Sequence, residues 1–172
     1  WDEALASQHL DRLLQLTADG AVPDLTIWPE TAVPYMLEFA PSVAGMITAA
    51  SQGRPVAVGI QREEDGRYFN SLRMLEGAGV ERARYDKHHL VPFGEYIPFG
   101  DLAFRWFGIT AFAAQSGATY SAGPAPAVLD LGALGKVLPL ICYEAVFPRL
   151  VNAAPERADW MLQITNDAWF GI

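Results

Sequence analysis

Short apolar strands alternating with amphipathic helices predict an α/β fold for this 172-residue chain. Apolar residues make up 51% and charged ones 19%, against about one quarter charged in an average soluble domain, so the chain can build a sizeable core and is not intrinsically disordered. The third observation is positional. Polar residues capable of chemistry stand just past three apolar runs: Glu30 after 25–28, Lys87 after 80–85, and Cys142 at the close of 136–141. The length suits one domain, 1–172.

Residues 2–19 read as an amphipathic helix, with Leu10, Leu13, Leu14 and Thr17 on one face, acids in the first turn and Gly20 beyond the end. Residues 25–28 form a short buried strand closed by Pro29. A second helix begins near Pro41, carries Val43, Met46, Ile47 and Ala50 at helical spacing, and ends before Gly53. The run 55–60 is a strand, and 68–75 pairs with 80–85 across the turn Glu76-Gly77-Ala78-Gly79. Residues 87–100, rich in Pro, Gly and aromatics, form a loop. Strands at 125–131 and 136–142, a short helix at 146–154 and a final strand at 160–165 complete the reading.

Twelve basic against twenty acidic residues give a net charge of −8, and no Lys/Arg cluster appears, so a nucleic-acid partner is not expected. Residues 106–129 carry no formal charge, but Gly108, Gly117, Gly123, Pro124 and Pro126 break the run and polar side chains punctuate it; it reads as an apolar loop region rather than a membrane span. The start at Trp1, without a basic or signal-like segment, reads as a piece of a longer protein. One cysteine permits no intramolecular disulfide. His88 and His89 are adjacent and diverge on an extended loop, so they read as loop histidines; no metal or cofactor is expected.

Taken singly, a cysteine after a buried strand is a small core hydrophobe and a loop Glu or Lys is a solvated charge. Together they offer acyl-transfer chemistry. Trp28 and Pro29 flank Glu30, and Ile141 and Tyr143 flank Cys142, so both groups are expected to be partly desolvated. A nearby cation or base would make the thiol a usable nucleophile, with its pKa lowered to roughly 3.5–7.5. Lys87 is the candidate cation and Glu30 the candidate base.

The segments TIWPETAVP, DKHHLVPFGEYIPF and ICYEAVF resemble the nitrilase (carbon-nitrogen hydrolase) superfamily, whose members carry a Glu, Lys, Cys triad in this order. PFGEYIPF and NDAWFG narrow the resemblance to the nitrilase-like domains of bacterial apolipoprotein N-acyltransferases, over essentially the whole chain. The resemblance implies an α-β-β-α sandwich, trimmed at both ends, with transmembrane portions absent. It implies Glu30 as general base, Lys87 as oxyanion stabiliser, Cys142 as nucleophile and Glu95 as the glutamate that orients the lysine. Trp1 and Phe170 match aromatics lining the acyl and phospholipid site, and Tyr143 and Glu144 match positions the family needs after the cysteine.

The implied partners are a phospholipid acyl donor, a diacylglyceryl apolipoprotein acceptor and the bacterial inner membrane, with this domain on its extracytoplasmic side. A soluble amidase sharing the triad and a non-catalytic binding module are the other readings. The aromatics Phe93, Tyr96, Phe99, Phe104, Trp106, Phe107 and Phe112 read either as packing or as an apolar lid that touches lipid.

Overall fold

The structure, a computed structural model, describes residues 3–96 and 119–166. Along the chain run α1 (Glu3–Ala18), β1 (Thr26–Ile27), α2 (Pro41–Ala50), β2 (Val56–Glu64), β3 (Arg67–Glu76), β4 (Val80–Asp86), β5 (Leu129–Asp130), β6 (Lys136–Ile141), α3 (Pro148–Asn152) and β7 (Trp160–Ile164). One sheet has the order β1-β2-β3-β4 and the other β5-β6-β7. β1 and β2 are parallel, as are β6 and β7, so α2 and α3 lie in the crossovers that parallel neighbours require.

The period of two in β2 sorts its side chains between two cores. Val56, Val58 and Ile60 pack against Leu10 of α1 and Val43, Ala44 and Ile47 of α2. Ala57 points the other way and joins Leu72, Met74 and Tyr85 against Val137, Ile141, Leu162 and Ile164 of the second sheet. The layers are therefore helix, sheet, sheet. Ile47, Val56, Val58 and Ile60 are wholly buried, each contributing about 1.5–3 kcal/mol from burial.

β1 and α3 are shorter than the strand at 25–28 and the helix at 146–154 read from the sequence, and two further strands differ more. β2 runs past Ile60 to Glu64 and pairs along its length with β3. The hairpin turns at Asp65 (φ 53°) and Gly66 (φ 74°), the positive-φ pair that matches the twist of the flanking strands. Gln61, Arg62, Glu63 and Glu64 lie beyond the strand read at 55–60, yet Arg62 is buried with its guanidinium paired to a carboxylate of β4. β5 is shorter than 125–131. Continuing its ladder would set Ala127 opposite Pro139, which has no N–H to give, and Pro126 is next in line.

The hairpin of β3 with β4 is present, from Ser71↔Asp86 to Glu76↔Val80, with a bulge at Met74/Leu75. Trp1, Phe170 and the aromatics Phe99, Phe104, Trp106, Phe107 and Phe112 lie outside the described residues. Among the described residues no helix is long and apolar enough to cross a membrane.

Candidate active site

The carboxyl ends of β1, β4, β6 and β7 deliver Glu30, Lys87, Cys142 and the pair Thr165-Asn166, the place where α/β sheets usually open a crevice. Hydrogen bonds and charge link residues from all four ends. Asn166 donates its backbone N–H to Glu30 Oε2 at 3.2 Å and its side-chain amide to the Glu30 carbonyl at 3.3 Å, joining the end of β7 to the segment after β1.

Glu30 is 4% exposed, because its segment lies directly on β2. Trp28 N–H bonds to Ala57 O at 2.8 Å and Ala32 N–H to Gly59 O at 2.9 Å, bracketing the glutamate. Gly59 makes this approach possible. A Cβ there would stand 2.2 Å from Pro29 O and 2.6 Å from Glu30 Cα, so only a residue without a side chain fits. Thr31, next along, holds the left-handed conformation at φ 49°.

Lys87 is 1% exposed, and its Nζ donates to Glu95 Oε1 at 2.9 Å. Glu95 is held in turn, with Oε2 accepting from Val91 N–H at 2.9 Å. Between the two glutamates stands Asn70 of β3, on the inter-sheet face by the register that pairs it with Gln61. Its amide donates to Glu30 Oε1 at 2.7 Å and to Glu95 Oε1 at 3.2 Å. Two carboxylate acceptors fix which end of the amide faces them. Tyr120 flanks this cluster: burial pushes its phenol up, with the charges of Glu95 and Glu30 acting the same way, and its hydroxyl accepts from Gln61.

Cys142 starts the 3-10 turn Cys142–Val146 in the left-handed conformation, φ 52°. For a residue with a Cβ this costs on the order of 1–3 kcal/mol, strain that concentrates at functional positions. Burial pushes its thiol up; the Glu30 carboxylate adds to this through charge and as a hydrogen-bond acceptor, while a Thr165 hydrogen bond and the Lys87 charge oppose it. The sequence expectation of a depressed thiol pKa is thus corrected. Half-burial beside an anion outweighs one cation, which shifts the group toward its neutral form.

Glu144 is 1% exposed and surrounded by donors. Oε1 accepts from Tyr85 Oη–H at 2.8 Å and from the backbone N–H of His88 and His89 at 2.9 Å each; Oε2 accepts from Ile141 N–H at 2.8 Å. It ties the chain after Lys87 to the chain around Cys142. Tyr143 is 40% exposed and packs edge-on against Phe147, which also meets the His89 ring. His88 Nδ1 lies 3.0 Å from Gly123 O.

Glu30, Lys87, Cys142 and Glu95 are thus brought together, Glu144 is engaged by protein donors, and Tyr143 stands at the surface. Asn70 and Thr165 escaped the sequence reading, and Asn166 was noted only as part of a motif. The one signal for Asn70 is a lone amide in the otherwise apolar inward-facing set of a strand.

The carbon-nitrogen hydrolase family model matches residues 1–172. The chain is 39% identical over 176 residues to the apolipoprotein N-acyltransferase of Rhizobium meliloti (strain 1021), covering 98% of this chain and 33% of that protein. It therefore spans about a third of the length of the curated relatives it matches. Among solved structures, XC1258 from Xanthomonas campestris, a CN-hydrolase superfamily protein with an arsenic adduct in its active site, aligns with a TM-score of 0.61 at 21% identity, covering 96% of this chain and 60% of that one. A mutant amidase from Nesterenkonia sp. AN1, with the acetamide moiety of fluoroacetamide added covalently at its active-site cysteine, aligns with a TM-score of 0.62 at 20% identity over 93% of this chain and 59% of that one. With the helix-sheet-sheet layering and the Glu, Lys, Cys order, these place the chain in the carbon-nitrogen hydrolase family.

Proposed function

We propose that this chain is the catalytic domain of an apolipoprotein N-acyltransferase: it moves a fatty acyl chain from a phospholipid to Cys142, and from there to the α-amine of a diacylglyceryl-cysteine at the N-terminus of an apolipoprotein. The observation that carries the chemistry is that strand ends bring Glu30, Lys87 and Cys142 to one edge, with Asn70 and Glu95 linking Glu30 to Lys87 by hydrogen bonds. The relatives' names carry the substrate class.

In the first half-reaction the sulfur attacks the ester carbonyl as Glu30 takes the thiol proton, so a neutral resting thiol suits a base held beside it. The carbonyl oxygen gains the charge. A lysine ammonium has three protons, and one side-chain hydrogen bond of Lys87, to Glu95, is present among the described residues, which leaves donors for that oxyanion. The C–O bond then breaks, Glu30 returns the proton to the glycerol oxygen, and a lysophospholipid leaves. In the second half the amine attacks the thioester, Glu30 removes the amine proton, and the C–S bond breaks to give an amide and the restored thiol.

Glu95 and Asn70 position the reacting groups, and Glu144 joins the two loops that carry Lys87 and Cys142. We assign Glu144 this positioning role in place of substrate contact. Tyr143, with Trp1 and Phe170, is proposed to line the substrate path. The domain would work at the extracytoplasmic face of the bacterial inner membrane.

The alternative, an amidase acting on small amides, shares every triad residue. Exposed apolar side chains favour lipid: Phe39 at 73%, Phe93 at 62%, Tyr143 at 40% and Val146 at 62% lie on the segments that follow Glu30, precede Glu95 and follow Cys142. Turnover of phospholipid together with a diacylglyceryl peptide, against turnover of short amides, separates the two. Rapid hydrolysis of short amides with phospholipid ignored would overturn the lipid reading.

A further inference from the structure

We propose that Arg62, Asp86 and Ser71 form a brace on the far face of the first sheet that positions Lys87 in the site. The inference rests on the reading of Lys87 as the cation that serves the reacting thiol and oxyanion.

Alternation along a strand sends consecutive side chains to opposite faces. Lys87 enters the inter-sheet face beside Asn70, so Asp86 belongs to the helix-facing side, where its register partner is Ser71. There Asp86 is gripped. Arg62 Nε donates to Oδ1 at 2.8 Å and Nη2 to Oδ2 at 2.7 Å, a two-pronged pair, and Ser71 Oγ–H donates to Oδ1 at 2.6 Å. Arg62 is itself fixed: it is 3% exposed, its guanidinium lies 4.1 Å above the centre of the Phe69 ring, and Glu64 meets Nη1 at 3.1 Å.

The main chain at this point is held as firmly as the side chain. Lys87 N–H bonds to Asn70 O at 2.8 Å, and Gly123 N–H to Lys87 O at 2.8 Å. Gly123 closes on the preceding peptide so tightly that a Cβ would fall 2.2 Å from Asp86 O. The last residue of β4 is therefore anchored by its side chain immediately before the lysine, whose own N–H and carbonyl are both bonded.

A buried ion pair adds little to stability once desolvation is counted, and an apolar pair of similar volume often serves the fold as well. What a bidentate Arg–carboxylate pair does supply is a fixed geometry. Burial alone would raise the Asp86 carboxyl, but hydrogen bonds from Arg62 and Ser71, with the charges of Arg62 and Arg84, hold it below the ordinary carboxylate range. Asp86 thus stays an anion committed to Arg62.

The test reads the position of the Lys87 charge through the thiol it acts on. The groups bearing on Cys142 are Glu30, which raises its pKa, and Thr165 and Lys87, which lower it. On the intact protein, the rate of Cys142 alkylation by iodoacetamide is followed against pH in the parent, K87Q, D86N, S71A and D86N/K87Q. Removing the cation in K87Q should move the midpoint up by about one pH unit. D86N should move it the same way by less, S71A by least, and D86N should add nothing in the K87Q background.

If K87Q moves the midpoint while D86N and S71A leave it in place, the brace is refuted and the role of Lys87 stands. A D86N shift that persists in the K87Q background also refutes it, because the effect would not pass through Lys87. An unmoved K87Q midpoint removes the role of Lys87 and the brace with it. S71A keeps both charges and decides the matter if D86N does not fold.

Discussion

Two buried glutamates stand just past strand ends in this chain, and the protein treats them differently. Glu144 receives four hydrogen bonds from protein donors, three of them backbone N–H groups, two on the loop after β4 and one at the end of β6. Glu30 receives one side-chain amide and one backbone N–H, and faces the thiol of Cys142. A carboxylate enclosed by donors is an anchor, since protonating it would break several charge-assisted bonds at once. One that is more lightly bonded and faces a thiol can exchange a proton. On the proposed reading the two regions divide the labour: around Glu144 the loops are fastened, and around Glu30 the chemistry would be performed.

The largest expected effect falls on the chemical side. E30Q preserves shape but removes the proton acceptor, and should slow acyl-enzyme formation by about 10³-fold or more while leaving the urea unfolding midpoint close to the parent value. C142A and K87M should slow acyl-enzyme formation comparably, K87M also lowering the unfolding midpoint because it leaves Glu95 buried without its cation, and combining any two should add little to the rate loss, because the three act as one unit. Losses that multiply independently in single-turnover measurements would break the picture of a shared site.

The complementary change should sharpen the contrast. E144A leaves three backbone donors, one buried and two part-buried, and the Tyr85 hydroxyl without their acceptor, and should lower folding stability by roughly 2–3 kcal/mol in urea unfolding. Its loss of activity would follow from loosened loops. If E144A unfolds like the parent yet abolishes turnover, the assignment of anchor and catalyst is reversed.

Between these extremes lies Asn70, which touches both Glu30 and Glu95. N70A should reduce the single-turnover rate by about 10–10²-fold through misplaced carboxylates, with KM little changed. N70D should be worse than N70A, because it sets a third carboxylate against two others.

The smallest effect is one of pH. The Glu30 charge helps to raise the Cys142 thiol. E30Q should therefore lower the midpoint of Cys142 alkylation by neutral iodoacetamide and speed alkylation near neutral pH, even as it abolishes acyl transfer. A midpoint that rises in E30Q would mean that Glu30 does not face the thiol as described.

How far the sequence foretells this arrangement depends on the kind of residue. Glu30, Lys87 and Cys142 are legible because each follows an apolar run, and strand ends of an α/β layer gather at one edge. Asn70 and Arg62 are not, because a polar residue inside a strand normally marks the solvated face, and only pairing with Glu95 or Asp86 reveals that it is inside. The thiol pKa runs the other way from the expectation for the same reason. Flanking by Ile141 and Tyr143 points to partial desolvation, but how far burial outweighs Lys87, and that the Glu30 charge adds to it, are facts of packing.

The central claim is that Cys142 carries the acyl group. The most direct measurement is the intact mass of the protein after incubation with phospholipid, with the modified residue located by fragmentation, followed by addition of a diacylglyceryl-cysteine peptide. The expected result is one fatty-acyl mass on Cys142, absent in C142A and E30Q, which disappears as the peptide gains the same mass. A folded protein that consumes phospholipid but never shows acyl mass on Cys142, or shows it equally in C142A, would contradict the account.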